Sequence, residues 1–309
     1  MSRFLHDEAV TAIQQIDTCL ENYAAGRKAA LCVGQFVDAD GRDSEHAGVY
    51  GTSAWLLLTG NLKSHAQVGR LRDECATLLR AAARGASQNA KFNSDLERMV
   101  LKIAYAFAAL SGLSDSQAEA SLLLERLFKS QNKGWGFAVD AAPVPMSTAI
   151  TVRLILESPA ARDAVSKAVA FLRSALSGVS NPYNRLFVLT TIARAEPNTV
   201  KRSEPAVAVR ELYVRVAEQP TRFPNPTIID YQDNSRTRYI RIPSDIILIE
   251  ALCLLSGPWQ MYLYAHTGWR IFGYLTNHTK SLQNFDVDPT GNRAAIGTYM
   301  YLQQTLQWA

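Results

Sequence analysis

Helical segments of two kinds alternate along this chain, and the alternation restricts its fold more than any other feature of the sequence. Segments of the first kind are apolar on one side only, as at Val68, Leu71, Cys75 and Leu78, and this spacing predicts surface helices. Segments of the second kind are apolar almost all round, so helices there must be buried on every side. Because strand patterns are nearly absent, the sequence predicts an all-α protein. The fully apolar segments are 52–59, 96–110, 148–156, 186–195, 246–255 and 294–302.

A residue typical of a helix N-cap stands at the front of each apolar segment. These residues recur roughly every 48 positions, enough for an inner helix, a return helix and two loops. Six such units predict twelve helices, arranged as six hairpins that close into one α/α toroid spanning residues 1–309. An open solenoid of helix pairs uses the same alternation, but the intervals are too unequal for a regular one. The six residues are Thr52, Asn93, Ser147, Asn181, Ser244 and Asn292.

The longest predicted loops all enter inner helices. In a closed ring such loops gather on one face, and functional residues are expected there because loops carry most binding groups. The loops concerned are 30–49, 132–146, 220–242 and 283–291.

Composition excludes several classes of protein. Hydrophobic residues make up 48% of the 309 residues, which supports a large core and excludes intrinsic disorder. The formal net charge of +4 is too small to indicate nucleic acid. The most apolar run, 246–255, is far shorter than the roughly 20 residues that a membrane span needs. With four scattered cysteines and no apolar leader, we expect a cytoplasmic protein with reduced thiols and no membrane span.

One phrase recurs in these loops, and its best copy is the run QNKGWGF at 131–137. It resembles the Q-x-x-x-G-x-W repeat of the squalene-cyclase and prenyltransferase superfamily, the terpenoid cyclase-like α/α toroids; weaker copies begin at Gln35 and Gln283. The phrase has a structural interpretation in which glycines permit a tight turn, an aromatic residue fills the gap between hairpins and glutamine binds neighbouring backbone. The structural repeat residues are then Gln131, Gly134, Trp135 and Phe137.

The resemblance also implies candidate catalytic residues. Class II cyclases of this superfamily use a D-x-D-D motif whose middle aspartic acid protonates an alkene, and Asp286 and Asp288 match its first two acids. Pro289 replaces the third acid, so this sequence departs from the motif. Asp38 and Asp40 form a second acidic pair that could hold Mg²⁺ against a diphosphate substrate. The alternative is that both pairs are ordinary solvated loop residues.

Polar residues at the predicted inner helices suggest a second kind of site. Arg98, Arg153, Arg185 and Arg293, if they converge, would form a cationic lumen suited to phosphate or carboxylate. The alternative is that each arginine pairs with a nearby aspartate and closes the ring. His46 and Tyr50 lie near the predicted mouth, but histidine and cysteine are not grouped there, so no zinc site or other cofactor is predicted.

The third candidate site is the longest loop, which interleaves arginine with tyrosine. Tyr231, Arg236, Arg238 and Arg241 lie within 11 positions of one another, and these residue types are enriched at protein interaction hot spots. The pattern favours a protein or polar anionic partner over nucleic acid, and a plain solvated loop remains the alternative.

Three functions fit these patterns. The favoured one is a cyclase-like toroid with a degenerate acid motif that acts as a binding or scaffold subunit at its loop face. The second is an active isoprenoid cyclase or prenyl-transferring enzyme that uses Asp288. The third is a glycoside hydrolase of the six-hairpin toroid type, which would require a pair of carboxylates about 5 to 9 Å apart.

Overall fold

The computed structural model describes residues 48–62 and 64–196 almost continuously, together with short strands and isolated positions elsewhere. The strand segments are 36–37, 227–233, 236–242 and 294–295, and the isolated positions include 20, 24, 208, 247, 250, 300 and 303. Among the residues that can be interpreted, 79% are helical, so the prediction of a mainly helical protein is confirmed at that level. No helix in the described part of the chain is both long and apolar enough to cross a membrane.

Eight α-helices follow one another between residues 48 and 196. Four of the connections contain a single 3₁₀ turn, and the longest connection is the loop 131–144. In chain order they are α1 (Val49–Leu58), α2 (Ala66–Ala83), α3 (Ala90–Arg98), α4 (Val100–Ser111), α5 (Gln117–Ser130), α6 (Pro145–Ile155), α7 (Arg162–Ala175) and α8 (Pro182–Ala195).

The helices form two layers, as the alternation predicts. In α1 every residue except Tyr50 and Leu57 is buried, whereas α2 buries one stripe that includes Val68, Leu71 and Cys75. The buried helices contact one another in sequence, α1 with α4, α4 with α6 and α6 with α8. The one-sided helices cover them, with α2 on α1, α5 on α4, and α7 on both α6 and α8.

The predicted inner helix 96–110 is interrupted at Met99, which has an extended backbone (φ −109°, ψ 101°). Residues of the 132–144 loop cause the break by pairing with the chain there. The Val100 N–H donates to the Phe137 carbonyl at 3.1 Å, and the Val139 N–H donates to the Arg98 carbonyl at 3.0 Å. These groups therefore leave the helical ladder, so that two helices, α3 and α4, replace the one expected.

Of the four predicted helix starts that lie in described residues, one is confirmed and three are displaced along the chain. Asn181 caps α8 as expected, because its Oδ1 accepts from the Asn184 N–H at 3.3 Å. The prediction for Asn93 was wrong, since Asn89 caps α3 by accepting from two backbone N–H groups. The Asn93 side chain instead exchanges hydrogen bonds with Ser87. Thr52 and Ser147 lie inside helices that begin earlier, while Ser244 and Asn292 are outside the described residues.

Two short antiparallel pairings were not predicted. β1 (Phe36–Val37) pairs with β4 (Ala294–Ala295), which places Phe36 opposite Ala295; the segment 294–302 was expected to be helical from its start. β2 (Thr227–Asp233) and β3 (Arg236–Ile242) form a hairpin within the predicted loop 220–242. β-branched and aromatic residues are frequent in both of these strands, which favours extended backbone.

Candidate functional site

The turn after α5 joins two hairpins through the residues of the QNKGWGF phrase. Trp135 is fully buried, and its indole N–H donates to the Leu127 carbonyl at 2.8 Å. The Gln131 amide donates to the Ala164 carbonyl at 2.7 Å, so it crosses to the first turn of α7. Phe137 packs partly buried against the core. The side chains of this turn are thus occupied in holding helices together.

Two hydroxyls at the start of α6 fix the same turn from the other side. Thr148 Oγ1 accepts from the Trp135 N–H at 2.8 Å and donates to the Trp135 carbonyl at 3.0 Å. Ser147 Oγ donates to the Gly136 carbonyl at 2.6 Å. A Cβ at Gly134 would lie 2.6 Å from both Phe171 Cδ1 and Thr148 Oγ1, so glycine is required there by close packing.

The strongest electrostatic feature of the described residues is a buried ion pair between α6 and residue 250. Arg153 Nη1 and Nη2 donate to the two carboxylate oxygens of Glu250 at 2.7 and 2.8 Å. The side chains are 5% and 2% exposed. A bidentate pair of this kind is short, directional and strong in a low-dielectric interior.

Residues of α8 complete the hydrogen bonding of this pair. Arg153 Nε donates to Thr191 Oγ1 and Nη2 to Thr190 Oγ1, both at 2.6 Å, while Thr190 Oγ1 lies 3.1 Å from Glu250 Oε2. Arg194 Nη1 lies 3.5 Å from Glu250 Oε1, and the Arg153 guanidinium lies 3.8 Å from the centre of the Phe187 ring. We call Arg153, Glu250, Thr190, Thr191 and Arg194 the buried arginine centre.

The electrostatics of the centre keep Glu250 ionised. Burial acts to raise the pKa of Glu250, but the charge and hydrogen bonds of Arg153, the charge of Arg194 and the Thr190 hydroxyl together bring that pKa below its usual value. A carboxylate with a lowered pKa is a poor general acid at neutral pH. The centre is therefore suited to holding helices and charges in place, not to transferring a proton.

Two arginines on the outer-layer helices α2 and α5 donate hydrogen bonds to backbone carbonyls at or near the C-termini of other helices. Arg72 donates to the Leu56 carbonyl at the end of α1 at 2.7 Å, and burial lowers the pKa of Arg72. Arg126 donates to the Ala83 carbonyl of α2 at 2.8 Å and to the Leu96 carbonyl of α3 at 3.1 Å. Leu96 has lost its helical donor at the Met99 break, so Arg126 compensates for that break.

The other predicted site residues are distributed over several places. Arg98 is exposed at the end of α3, while Arg185 is half-buried in the first turns of α8. Tyr50 packs edge-on against Tyr105, with ring centres 4.7 Å apart. Tyr231, Arg236, Arg238 and Arg241 lie in the β2–β3 hairpin. Asp38, Asp40, His46, Asp286, Asp288 and Arg293 lie outside the described residues.

Sequence reasoning missed most of the buried arginine centre. Arg153 was expected in a cationic lumen or paired with a nearby aspartate; it is paired with a glutamate 97 positions away. The signal that could have found the partner was Glu250 itself, the single acid in the most apolar segment of the chain. Thr190, Thr191 and Arg194 gave no comparable signal.

Neither metal-site geometry nor similarity to known proteins adds an assignment. In the parts of the chain that the structure describes, no group of three or more His, Cys, Asp or Glu side chains is placed to hold a metal ion. No family model matches the chain, and no curated protein or solved structure matches it either.

Proposed function

We propose that this chain is a ring-closed α/α toroid that acts as a binding or scaffold subunit for a protein partner and not as an isoprenoid cyclase. The observation that carries the proposal is the buried arginine centre. Carbocation chemistry needs an apolar interior lined by aromatic groups. Here an inner helix, α6, directs a guanidinium at a buried carboxylate and two hydroxyls.

Three features support the toroid as the arrangement. The inner helices α1, α4, α6 and α8 contact one another in chain order. Gln303, which directly follows the last predicted inner segment, donates to the Leu58 carbonyl at the end of α1 at 3.3 Å. Ala295 pairs with Phe36 ahead of α1. Contacts between the last and first segments are what a closed ring requires, whereas an open solenoid separates them.

Binding at the loop face is proposed from the residue types of one element. The arginine centre and the QNKGWGF turn use their polar groups within the fold. The β2–β3 hairpin, by contrast, carries four of the predicted contact residues on one two-stranded element. We therefore place the partner contact on that hairpin.

Native mass spectrometry of the protein purified from its own host, combined with a product assay, tests the proposal. We expect a stoichiometric protein partner, and we expect wild type and Asp288→Asn to be alike in yielding no product from polyprenyl diphosphates with Mg²⁺. Formation of a product by the wild type that Asp288→Asn abolishes without unfolding would contradict the proposal and favour the enzyme.

A further inference from the structure

The guanidinium of Arg153 is held in position by α8 as well as by Glu250. Its Nε donates to Thr191 Oγ1 and its Nη2 to Thr190 Oγ1, both at 2.6 Å, and Nη2 also lies 3.2 Å from the Phe187 carbonyl oxygen. The Thr191 hydroxyl donates to that carbonyl at 2.8 Å, so its oxygen is left to accept from the arginine. The Phe187 ring lies 3.8 Å from the guanidinium. All these contacts come from one helix and do not involve the carboxylate.

The donors that face Glu250 also belong to α6 and α8. Arg153 Nη1 and Nη2 donate to the two carboxylate oxygens at 2.7 and 2.8 Å. The Thr190 hydroxyl lies 3.1 Å from Oε2, and Arg194 Nη1 lies 3.5 Å from Oε1. The side chains of Arg153 and Glu250 are 5% and 2% exposed, so the donors act where water is excluded. Donors fixed in advance by their own packing are what a tight binding site requires.

We infer that α6 and α8 form a preorganised binding site for a carboxylate, which Glu250 fills as an internal ligand. The two N–H groups of the guanidinium fork match the two oxygens of a planar carboxylate, whereas a halide has no second oxygen to accept the other N–H. In the wild type an external carboxylate enters only in exchange for Glu250. The site is separate from the partner contact proposed on the β2–β3 hairpin and does not depend on it.

Replacing Glu250 with alanine tests the site in the full-length chain. Glu250→Ala removes two carbons and two oxygens, which together have the size of acetate, so added acetate should occupy the site and stabilise the fold. We expect the melting temperature of Glu250→Ala, measured at constant ionic strength, to rise with sodium acetate at millimolar concentrations and then to saturate. Formate and propionate, one carbon shorter and one longer, should need about fourfold higher concentrations because one methylene is missing or misplaced.

Three controls locate the effect. The wild type, in which Glu250 fills the site, should respond to acetate no more than to chloride. Arg153→Met/Glu250→Ala lacks the guanidinium fork and should show no specific response to acetate. Glu119→Ala removes another buried carboxylate, which is 1% exposed, but its partner Arg84 is 62% exposed. A guanidinium that lies mostly in water is not held in advance, so acetate should not stabilise this variant specifically.

Each result either supports the inference or overturns it. If Glu250→Ala does not fold in chloride, recovery of a cooperative melt in acetate supports the site, and failure to recover contradicts it. Equal stabilisation by acetate and chloride would be a general salt effect. An equal response of Arg153→Met/Glu250→Ala would place the bound acetate elsewhere, and an equal response of Glu119→Ala would mean that preorganisation by α8 has no role. Any of these three results overturns the inference.

Discussion

Arg153 and Glu250 show how a single pair of residues can hold distant parts of the chain together. Their contact spans 97 positions and lies almost wholly out of water. Such a pair contributes less net stability than its Coulomb attraction suggests, because both ions lose hydration. Substituting only one of the two residues is costly, since the charge of the other is then left buried without a partner.

The residue-scale prediction follows from that asymmetry. Arg153→Met or Glu250→Met alone should lower the free energy of unfolding by about 3–5 kcal/mol. The double variant Arg153→Met/Glu250→Met should recover most of the loss, because two apolar side chains of similar length replace the pair. Urea denaturation measures all three, and additive losses in the double variant would show that the two residues do not act as a pair.

Glu250 also predicts how stability depends on pH. Its pKa is lower in the folded than in the unfolded protein, so it favours folding at pH above its unfolded pKa of about 4.3. That contribution is lost as the pH falls through the folded pKa. Glu250→Gln should therefore flatten the loss of stability in acid, as measured by thermal melts from pH 7 downwards. Glu125→Gln, at an exposed pair with Lys129, serves as the control and should leave the acid profile unchanged.

At the scale of elements, the turn between α5 and α6 combines an anchored tryptophan with two closely packed glycines. A Cβ at Gly136 would lie 2.6 Å from the carbonyl oxygens of Ala141 and Ala142. Backbone atoms cannot move aside as the end of a flexible side chain can. The turn is therefore among the least tolerant segments between residues 48 and 196.

Gly136→Ala should lower stability by about 1–3 kcal/mol because of this overlap. The matched control is Gly178→Ala, since a Cβ there meets nothing within 4 Å, and its effect should stay within about 0.5 kcal/mol. Melting temperatures measured side by side compare the two. Similar losses in both variants would contradict the close packing assigned to the turn.

The elements also show what sequence can and cannot predict in this protein. The buried helices α1, α4, α6 and α8 were predictable because an all-round apolar surface has one physical outcome. The break at Met99 was not predictable, because residues 137–139, which come much later in the chain, form hydrogen bonds with the backbone on either side of Met99. The choice between Asn89 and Asn93 as cap likewise depends on Ser87, whose backbone N–H and carbonyl both bond to the Asn93 side chain.

The candidate site follows the same division. Arg153 could be singled out as a polar residue in an apolar helix, and Glu250 as an acid in the most apolar segment. Their pairing could not be predicted, because no local sequence signal indicates which residues of two different inner segments will meet. The β2–β3 hairpin was missed for a different reason: its arginines and aspartates obscure the alternation that marks a strand with one buried face.

At the scale of the whole molecule, ring closure is the property on which the proposed function depends. A closed ring brings the loops that enter the inner helices to one face, whereas an open array spreads them along a ridge. The pairing of Phe36 with Ala295 and the hydrogen bond from Gln303 to Leu58 connect residues late in the chain with residues at and just before α1.

Disulfide trapping of Phe36→Cys with Ala295→Cys tests closure most directly, in a background where the native cysteines are replaced by alanine. Opposed residues of an antiparallel pair have Cα atoms about 4.5–5.5 Å apart, within the range that a disulfide bridges. Under mild oxidation, peptide mapping should find this pair rapidly and almost completely cross-linked. Phe36→Cys with Leu122→Cys, on the exposed side of α5, should stay reduced. Equally slow cross-linking of both pairs would show that the chain is an open array and would contradict the toroid.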